Sequence, residues 1–280
     1  TSDKKYMQVT FDTLKIEANI FSELKKNPEW FEHCKNDNSL YIEIRKDNQV
    51  NIYSEGGSVA RIHYCSKLKK LQVFTHYKYL GLKDSDKTYL ECSQIIGDEI
   101  DNILENVKDN YSQKKAENGI YSKEKWSEKY IQGNLITKTF KRQHLDSEFA
   151  YKDGSFDIRI DLIKVVDGAV TFVELKRMDD ARMLKKEGVE PEIIEQMKAY
   201  ADFIAEYKEK ILDYYQTVYD IKKDLKLPLP EQRPISVNSI PELLIFDRWE
   251  KSHPARIRHR AEMEKILREN GIEYRIISKL

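Results

Sequence analysis

The sequence predicts an α/β protein of the mixed α+β kind, built in two parts, and three patterns support this. Three short alternating runs between residues 39 and 64, separated by turn residues, indicate an antiparallel meander. Two β-rich runs within 156–177 are joined by Asp167-Gly168, which indicates a β-hairpin because a type I′ turn needs positive φ at both central residues. The apolar run 243–246, which follows a long helical stretch, indicates a buried strand.

The composition suits a folded protein that does not bind nucleic acid through bulk charge. The 280 residues include 48 basic and 48 acidic side chains, so the formal net charge is zero. Three cysteines, far apart and odd in number, give neither a disulfide framework nor a zinc-ligand spacing, which favours a cytoplasmic location. No apolar run approaches about 20 residues, so no transmembrane helix and no membrane partner are predicted.

The N-terminal part, residues 1–92, is predicted to be a small α+β accessory domain. Residues 20–35 have the apolar spacing of a helix, with Pro28 as a point where it breaks or a second helix begins. The meander follows, with turns at Asp47-Asn48 and Gly56-Gly57. Two roles for this domain stay open: a structural or oligomerising module, and substrate recognition.

Residues 93–120 are predicted to form a connecting helix, with Ser93 as its N-cap and Gly119 at its end. The C-terminal domain, 121–280, then opens with a helix that starts at Ser122. The order predicted between residues 122 and 247 is α-β-β-β-α-β. Its later elements are a strand at 148–151, the hairpin, a helix from Pro191 to residue 207 or 225, the strand 243–246, a helix at 255–270 stopped by Gly271, and a strand at 272–277.

The two-residue turn fixes which hairpin residues face each other. Counting outward from it, Asp161 falls opposite Glu174 and Arg159 opposite Lys176, all on one face. Like charges directly opposite destabilise a sheet, so a cation between the two carboxylates is expected, and oxygen ligands suit Mg²⁺ or Mn²⁺. A solvent-facing charge ladder is the alternative, and Asp157 is the second candidate ligand should the register differ.

The pattern Asp161-x12-Glu174-x-Lys176 resembles the active site of the PD-(D/E)XK nuclease superfamily. The resemblance implies that Asp161, Glu174 and the Leu175 carbonyl bind the metal, and that Lys176 positions or activates the attacking water. Ile160 stands where the name motif has proline, a departure that many members share. The α-β-β-β-α-β order is also the order of that family's restriction-endonuclease-like core, and it covers residues 121–280 only.

A second motif, Gln196-Met-Lys-Ala-Tyr200, resembles the Q-x-x-x-Y motif of the exonuclease-like branch of this family. Positions i and i+4 of a helix lie side by side, and the resemblance implies that Gln196 and Tyr200 orient the lysine or the nucleic-acid backbone. The alternative is an ordinary apolar stripe that contains Tyr200. Family members often add a glutamate ligand from the preceding helix. Glu128 is the better placed candidate and Glu124 the other, although a solvated glutamate is equally consistent with the pattern.

The resemblance makes the basic residues near these elements candidates for phosphate contact, because a strand end and a helix start rich in Arg and Lys suit an anion. A solvated charged face is the alternative. The predicted nucleic-acid-binding residues are Arg159, Arg177, Arg248, Lys251, Arg256 and Arg258.

These features together predict a Mg²⁺-dependent deoxyribonuclease, with DNA favoured over RNA and with roles in restriction, phage defence or repair implied by the resemblance. Two alternatives remain open: a non-cleaving nucleic-acid or partner-binding module on the same fold, and a regulated effector nuclease with a sensing N-terminal domain. A homodimer is compatible with each of them.

Overall fold

The computed structural model describes residues 11–77, 89–92, 127–184, 189–248 and 253–280. The chain forms two compact units, each with its own sheet and helices, so the predicted mixed α+β class is confirmed. The meander unit comprises Asp12–Lys141 and Thr217–Leu229. The hairpin unit comprises Thr1–Phe11, Arg142–Gln216 and Pro230–Leu280.

The meander unit contains two short helices, a five-stranded antiparallel sheet and a third helix. The predicted break is confirmed, since the first helix ends at Lys25 and Pro28 occupies the N-cap position of the second. The predicted three-stranded meander is confirmed as β1 to β3. The sheet order is β1-β2-β3-β4-β5. The elements are α1 (Asn19–Lys25), α2 (Glu29–Asn36), β1 (Leu40–Arg45), β2 (Gln49–Ser54), β3 (Gly57–Cys65), β4 (Lys70–His76), β5 (Tyr89–Glu91) and α3 (Glu128–Asn134), which continues as a π-helical turn, Leu135–Thr139.

The units group the chain differently from the predicted boundaries after residues 92 and 120. Residues 127–141, expected to open the C-terminal domain, belong to the meander unit. The cause is close backbone packing: a Cβ on Gly133 of α3 would lie 2.4 Å from the nitrogen of Gly56 in the β2–β3 turn. The predicted helix 93–120, with Ser93 and Gly119, lies outside the described residues, as do Ser122 and Glu124.

The hairpin unit contains a mixed six-stranded sheet. Its order is β11-β10-β8-β7-β6, with β9 beside the start of β8. Strands β6, β7 and β8 are antiparallel, whereas β10 runs parallel to both β8 and β11. The elements are β6 (His144–Lys152), β7 (Asp157–Val166), β8 (Ala169–Arg177), α4 (Glu192–Asp224), β9 (Ser236–Val237), β10 (Glu242–Phe246), α5 (Pro254–Glu269) and β11 (Tyr274–Ile277).

The predicted hairpin turn is confirmed. Val166 pairs with Ala169, and the two residues between them have positive φ, 49° at Asp167 and 77° at Gly168, as a type I′ turn requires. The order from α3 to β10 is the predicted α-β-β-β-α-β, apart from the two-residue strand β9.

The helix after Pro191 was predicted to end at residue 207 or at residue 225, and helix α4 has a structural feature near each position. It continues to Asp224, but its backbone leaves helical geometry at Tyr207, where φ is −111° and ψ is 18°. Up to Gln216 this helix belongs to the hairpin unit, where Phe203 contacts the rings of Phe149 and Phe156, and from Thr217 onward it belongs to the meander unit. No helix in the described part of the chain is both long and apolar enough to cross a membrane.

Candidate active site

The candidate site lies where strands β7 and β8 separate. Their ladder ends at the pair Leu162 and Val173, one position before the predicted pair of Asp161 with Glu174, which lies where the strands have begun to part. From there β7 remains paired with β6, and β8 with β10. The Asp161 carboxylate spans the opening, because its Oδ2 accepts a hydrogen bond from the backbone N–H of Leu175 at 2.9 Å.

The Lys176 ammonium lies among three oxygen-bearing groups. Its Nζ donates to the Glu174 carboxylate and to the Leu175 carbonyl oxygen at 3.0 Å, and it lies 3.9 Å from Asp161 Oδ2. The side chains of Lys176 and Glu174 are 2% and 3% exposed, whereas that of Asp161 is 33% exposed. An ion or a substrate would therefore reach these groups from the side of Asp161.

Helix α4 supplies two side chains that hold Glu174 from the other side. Gln196 Nε2 donates to Glu174 Oε1 at 2.8 Å, and the Tyr200 hydroxyl lies 3.1 Å from Glu174 Oε2. The same hydroxyl contacts the Arg159 carbonyl and accepts from Gln196 at 2.5 Å. The i and i+4 spacing thus places both groups on one carboxylate. Gln196 Oε1 is buried and has no hydrogen-bond partner within the described residues.

The electrostatics of the site follow from two acids beside one lysine. The pKa of Asp161 is raised to about 7, mainly by burial and next by the charge of Glu174, while Lys176 opposes both. Burial also raises the pKa of Glu174, against the lowering effect of Lys176 and of the Tyr200 hydrogen bond. With both acids ionised the group has one surplus negative charge, so it has the capacity to take up a proton or a cation.

Sequence reasoning missed Glu148 of strand β6. Ser147 pairs with Leu162 and Phe149 with Ile160, so Glu148 lies opposite Asp161 across the β6–β7 ladder. Its φ is 53°, a left-handed conformation within a strand, and its charge contributes to the raised pKa of Asp161. An alternating pattern does not reveal such an irregular position, so the sequence offered no signal for it.

Sequence reasoning also missed Arg182, which falls in the polar loop predicted after the hairpin. It lies in a single 3₁₀ turn, Ala181–Met183, that Asp180 caps. Asp180 also orients its guanidinium, with Arg182 Nε 2.9 Å from Asp180 Oδ1. The charge of Arg182 lowers the pKa of Glu174, which places it in the electrostatic neighbourhood of the site.

The predicted pairing of Arg159 with Lys176 is not formed. The β7–β8 ladder ends before it, so Lys176 pairs with Ile245 of β10 and is buried, while the Arg159 side chain is 50% exposed. The fallback ligand Asp157 is exposed, and its carboxylate contacts Lys152 at 2.6 Å rather than the site.

The other predicted nucleic-acid contacts have varied surroundings. Arg177 donates from its Nε to Asp179 at 2.8 Å, and Arg248 is partly buried. Arg256 and Arg258 are exposed on the first turns of α5, and Lys251 lies outside the described residues. Their binding of nucleic acid stays a prediction.

The donor atoms of the site suit a hard cation. No group of three or more His, Cys, Asp or Glu side chains that could hold a metal ion occurs in the described ranges. The two carboxylates, the Leu175 carbonyl and Gln196 Oε1 are nevertheless oxygen ligands of the kind that Mg²⁺ uses, with water and substrate phosphate completing its shell. Glu128, the predicted additional ligand, begins α3 in the meander unit, and its role stays a prediction.

Comparison of the chain with protein-family models gives no match, and comparison with curated proteins and with solved structures gives none either.

Proposed function

We propose that the hairpin unit is a metal-dependent nuclease of PD-(D/E)XK type that hydrolyses phosphodiester bonds, with DNA as its substrate. The observation that carries this proposal is the convergence of Asp161, Glu174 and the Leu175 carbonyl around the Lys176 ammonium. Carboxylates with a buried lysine suit phosphodiester hydrolysis, because the acids hold a cation while the lysine supplies fixed positive charge.

Each residue has a definable task in this reaction. Asp161, Glu174 and the Leu175 carbonyl would hold Mg²⁺ or Mn²⁺, which when bound lowers the pKa of water and stabilises charge on the phosphate. Lys176 lies within reach of the same locus and would stabilise the attacking water and the phosphate oxygens. Gln196 and Tyr200 keep both oxygens of Glu174 in place.

The charge balance of the site favours cleavage over the alternative of a non-cleaving binding module. A binding surface for nucleic acid needs positive charge, whereas this group has two acids beside a single lysine. A surplus carboxylate is useful where a cation must be held. Restriction, phage defence or repair, with a cytoplasmic location, remains the setting that we infer for such an enzyme.

The test is a cleavage assay with the full chain. Linear, circular and single-stranded DNA and RNA are incubated with Mg²⁺ or Mn²⁺ and with wild type, Glu174→Gln or Lys176→Met. We expect wild type to cleave DNA and both variants to be slower by about 100-fold or more. Lys164→Met is the matched control, since Lys164 is a buried lysine of the same hairpin that pairs with Glu242 instead.

The outcomes separate the hypotheses. Equal cleavage by wild type and by the Glu174 and Lys176 variants would remove the site assignment. Binding of nucleic acid by wild type without cleavage of any substrate would establish the non-cleaving module. A loss of activity in Lys164→Met as large as that in Lys176→Met, with both variants folded, would show that the assay reports stability rather than chemistry.

A further inference from the structure

A second polar centre lies on one face of the meander sheet. Across β1 and β2, Glu43 pairs with Asn51, and across β2 and β3, Asn51 pairs with Arg61. Tyr53, two residues further along β2, pairs with Ser58 beyond a register shift between Ile52 and Tyr53. Directly opposed residues of antiparallel strands share a face, as do residues i and i+2 of one strand, so all five belong to the same face.

Three polar atoms of this centre are buried without a hydrogen-bond partner. They are Asn51 Oδ1, Ser58 Oγ and Arg61 Nε, none of which has a partner in the described part of the chain. Asn51 as a residue is only 3% exposed. Buried polar groups of folded proteins are nearly always satisfied, so three such atoms on neighbouring residues of one sheet face require an explanation.

The centre also has uncompensated positive charge. The Arg61 guanidinium lies 3.7 Å from the centre of the Tyr89 ring and donates to the Tyr89 hydroxyl at 2.7 Å, but it forms no ion pair within the described residues. Its neighbour Glu43 is already neutralised by Lys222 at 2.7 Å. Burial and, secondarily, the charge of Arg61 lower the pKa of the nearby His63.

We propose that this face binds a small oxyanion that carries its own hydrogen-bond donor. Arg61 Nε–H and the Ser58 hydroxyl donate to the oxyanion, and Asn51 Oδ1 accepts from the donor of the ligand. Ordered water could satisfy such atoms, but it carries no charge to pair with the Arg61 guanidinium, which is only partly exposed. A partly protonated phosphate and a zwitterionic amino acid share the required chemistry, whereas acetate has the oxyanion without the donor. The site does not depend on the function proposed for the hairpin unit.

The test uses isothermal calorimetry and thermal unfolding of the full chain with three probes. Inorganic phosphate carries a P–OH donor, glycine carries an ammonium donor, and acetate carries none. We expect saturable binding of phosphate or glycine and binding of acetate that is at least about tenfold weaker. Binding of phosphate alone identifies a phosphoryl ligand, and binding of glycine alone identifies an amino-acid ligand.

Variants connect the binding to the three atoms. Arg61→Lys keeps the charge but lacks Nε–H, and Asn51→Leu removes the acceptor; each should weaken binding by about tenfold or more. Ser58→Ala, a smaller change at a less buried residue, serves if Asn51→Leu does not fold. Arg268→Lys on α5, at an exposed side chain, is the control and should bind as wild type does. The proposal is overturned if no probe binds saturably, or if the folded variants bind with wild-type affinity.

Discussion

Among the described residues, each unit contains a lysine–glutamate pair whose two side chains are no more than 3% exposed, and these two pairs differ in charge balance. In the meander unit Lys222 Nζ lies 2.7 Å from Glu43, with side chains 3% and 0% exposed. In the hairpin unit Lys176 and Glu174 are as deeply buried, but Asp161 lies 3.9 Å from the same ammonium. One pair is neutral, whereas the other group has a second acid.

The comparison shows that burial of an ion pair is by itself poor evidence of function. A buried pair has a large desolvation cost, and it persists in many folds as a structural feature. The distinguishing feature of the hairpin unit is the surplus acid, which raises the pKa of a carboxylate and gives the site the capacity to bind a cation.

Breaking the neutral pair should produce the largest change in stability. Lys222→Met leaves Glu43 buried without its ammonium, and we expect it to lower the free energy of unfolding by about 3–5 kcal/mol. Urea denaturation measures this change. The double variant Glu43→Leu with Lys222→Met should recover most of the loss, because it removes both charges. A single variant as stable as wild type would contradict a structural role for the pair.

The hairpin turn creates the unbalanced group, since it aligns Asp161 with Glu174. Gly168→Ala should lower stability by about 2 kcal/mol, because Gly168 has a φ of 77° and a Cβ there would lie 2.8 Å from Ile235 Cγ1. The matched control is Gly154→Ala, whose Cβ would meet nothing within 4 Å and which should be nearly neutral. Equal denaturation midpoints for the two variants would show that the turn is not constrained as described.

The fold was predictable where the signal is local. The Asp167-Gly168 turn fixes a register without knowledge of distant contacts, and Gly271, with a φ of 66°, ends helix α5 as its sequence indicates. Strands β4 and β5 were not predicted, since the short alternating run Lys70–His76 is half polar. The grouping of α3 with the meander unit depends on contact between Gly133 and Gly56, residues far apart in sequence.

The residues of the candidate site likewise divide into those that local sequence patterns predict and those that they do not. Asp161, Glu174 and Lys176 follow from register, and Gln196 and Tyr200 from helical spacing, so their convergence could be anticipated. The opening between β7 and β8 could not be anticipated, because it depends on β10 pairing with the end of β8. Where the strands part, Lys176 is buried while Arg159 stays exposed. Glu148 and Arg182 belong to irregular backbone, for which the sequence has no periodic signal.

Removing the surplus acid should make the unbalanced group more like the neutral pair. The pKa of Asp161 is raised from 3.8 to about 7, so between these values the folded chain holds a proton that the unfolded chain has lost, and its stability falls as pH rises. Because Asp161 is one-third exposed, we expect Asp161→Asn to gain only about 1–2 kcal/mol at pH 8, and almost nothing at pH 4.

Urea denaturation at pH 4, 6 and 8 measures this dependence. Asp157→Asn is the control on the same strand, because Lys152 holds the pKa of Asp157 below its usual value and its charge therefore stabilises the folded chain. That control should gain nothing at pH 8. A gain for Asp161→Asn that is constant across the three pH values would mean that ionisation of Asp161 is not its cause.

The smallest expected change in stability concerns the hydrogen bond to Glu174, the second acid of the unbalanced group. Tyr200→Phe removes a hydroxyl 3.1 Å from Glu174 Oε2 and in contact with the Arg159 carbonyl, and we expect it to lower stability by about 1 kcal/mol. The Tyr200 hydrogen bond lowers the pKa of Glu174, so its loss raises that pKa and shifts the acidic limb of the cleavage rate to higher pH.

The matched control is on the same helix. Tyr207→Phe removes a hydroxyl that donates to Asp153 at 2.7 Å, away from the acids. Both variants lose a tyrosine hydroxyl and its hydrogen bonds, but only Tyr200→Phe changes the environment of Glu174, so only that variant should shift the pH–rate profile. An equal shift in both profiles would place the cause in helix α4 as a whole, and no shift in either would show that Glu174 does not need this donor to remain ionised.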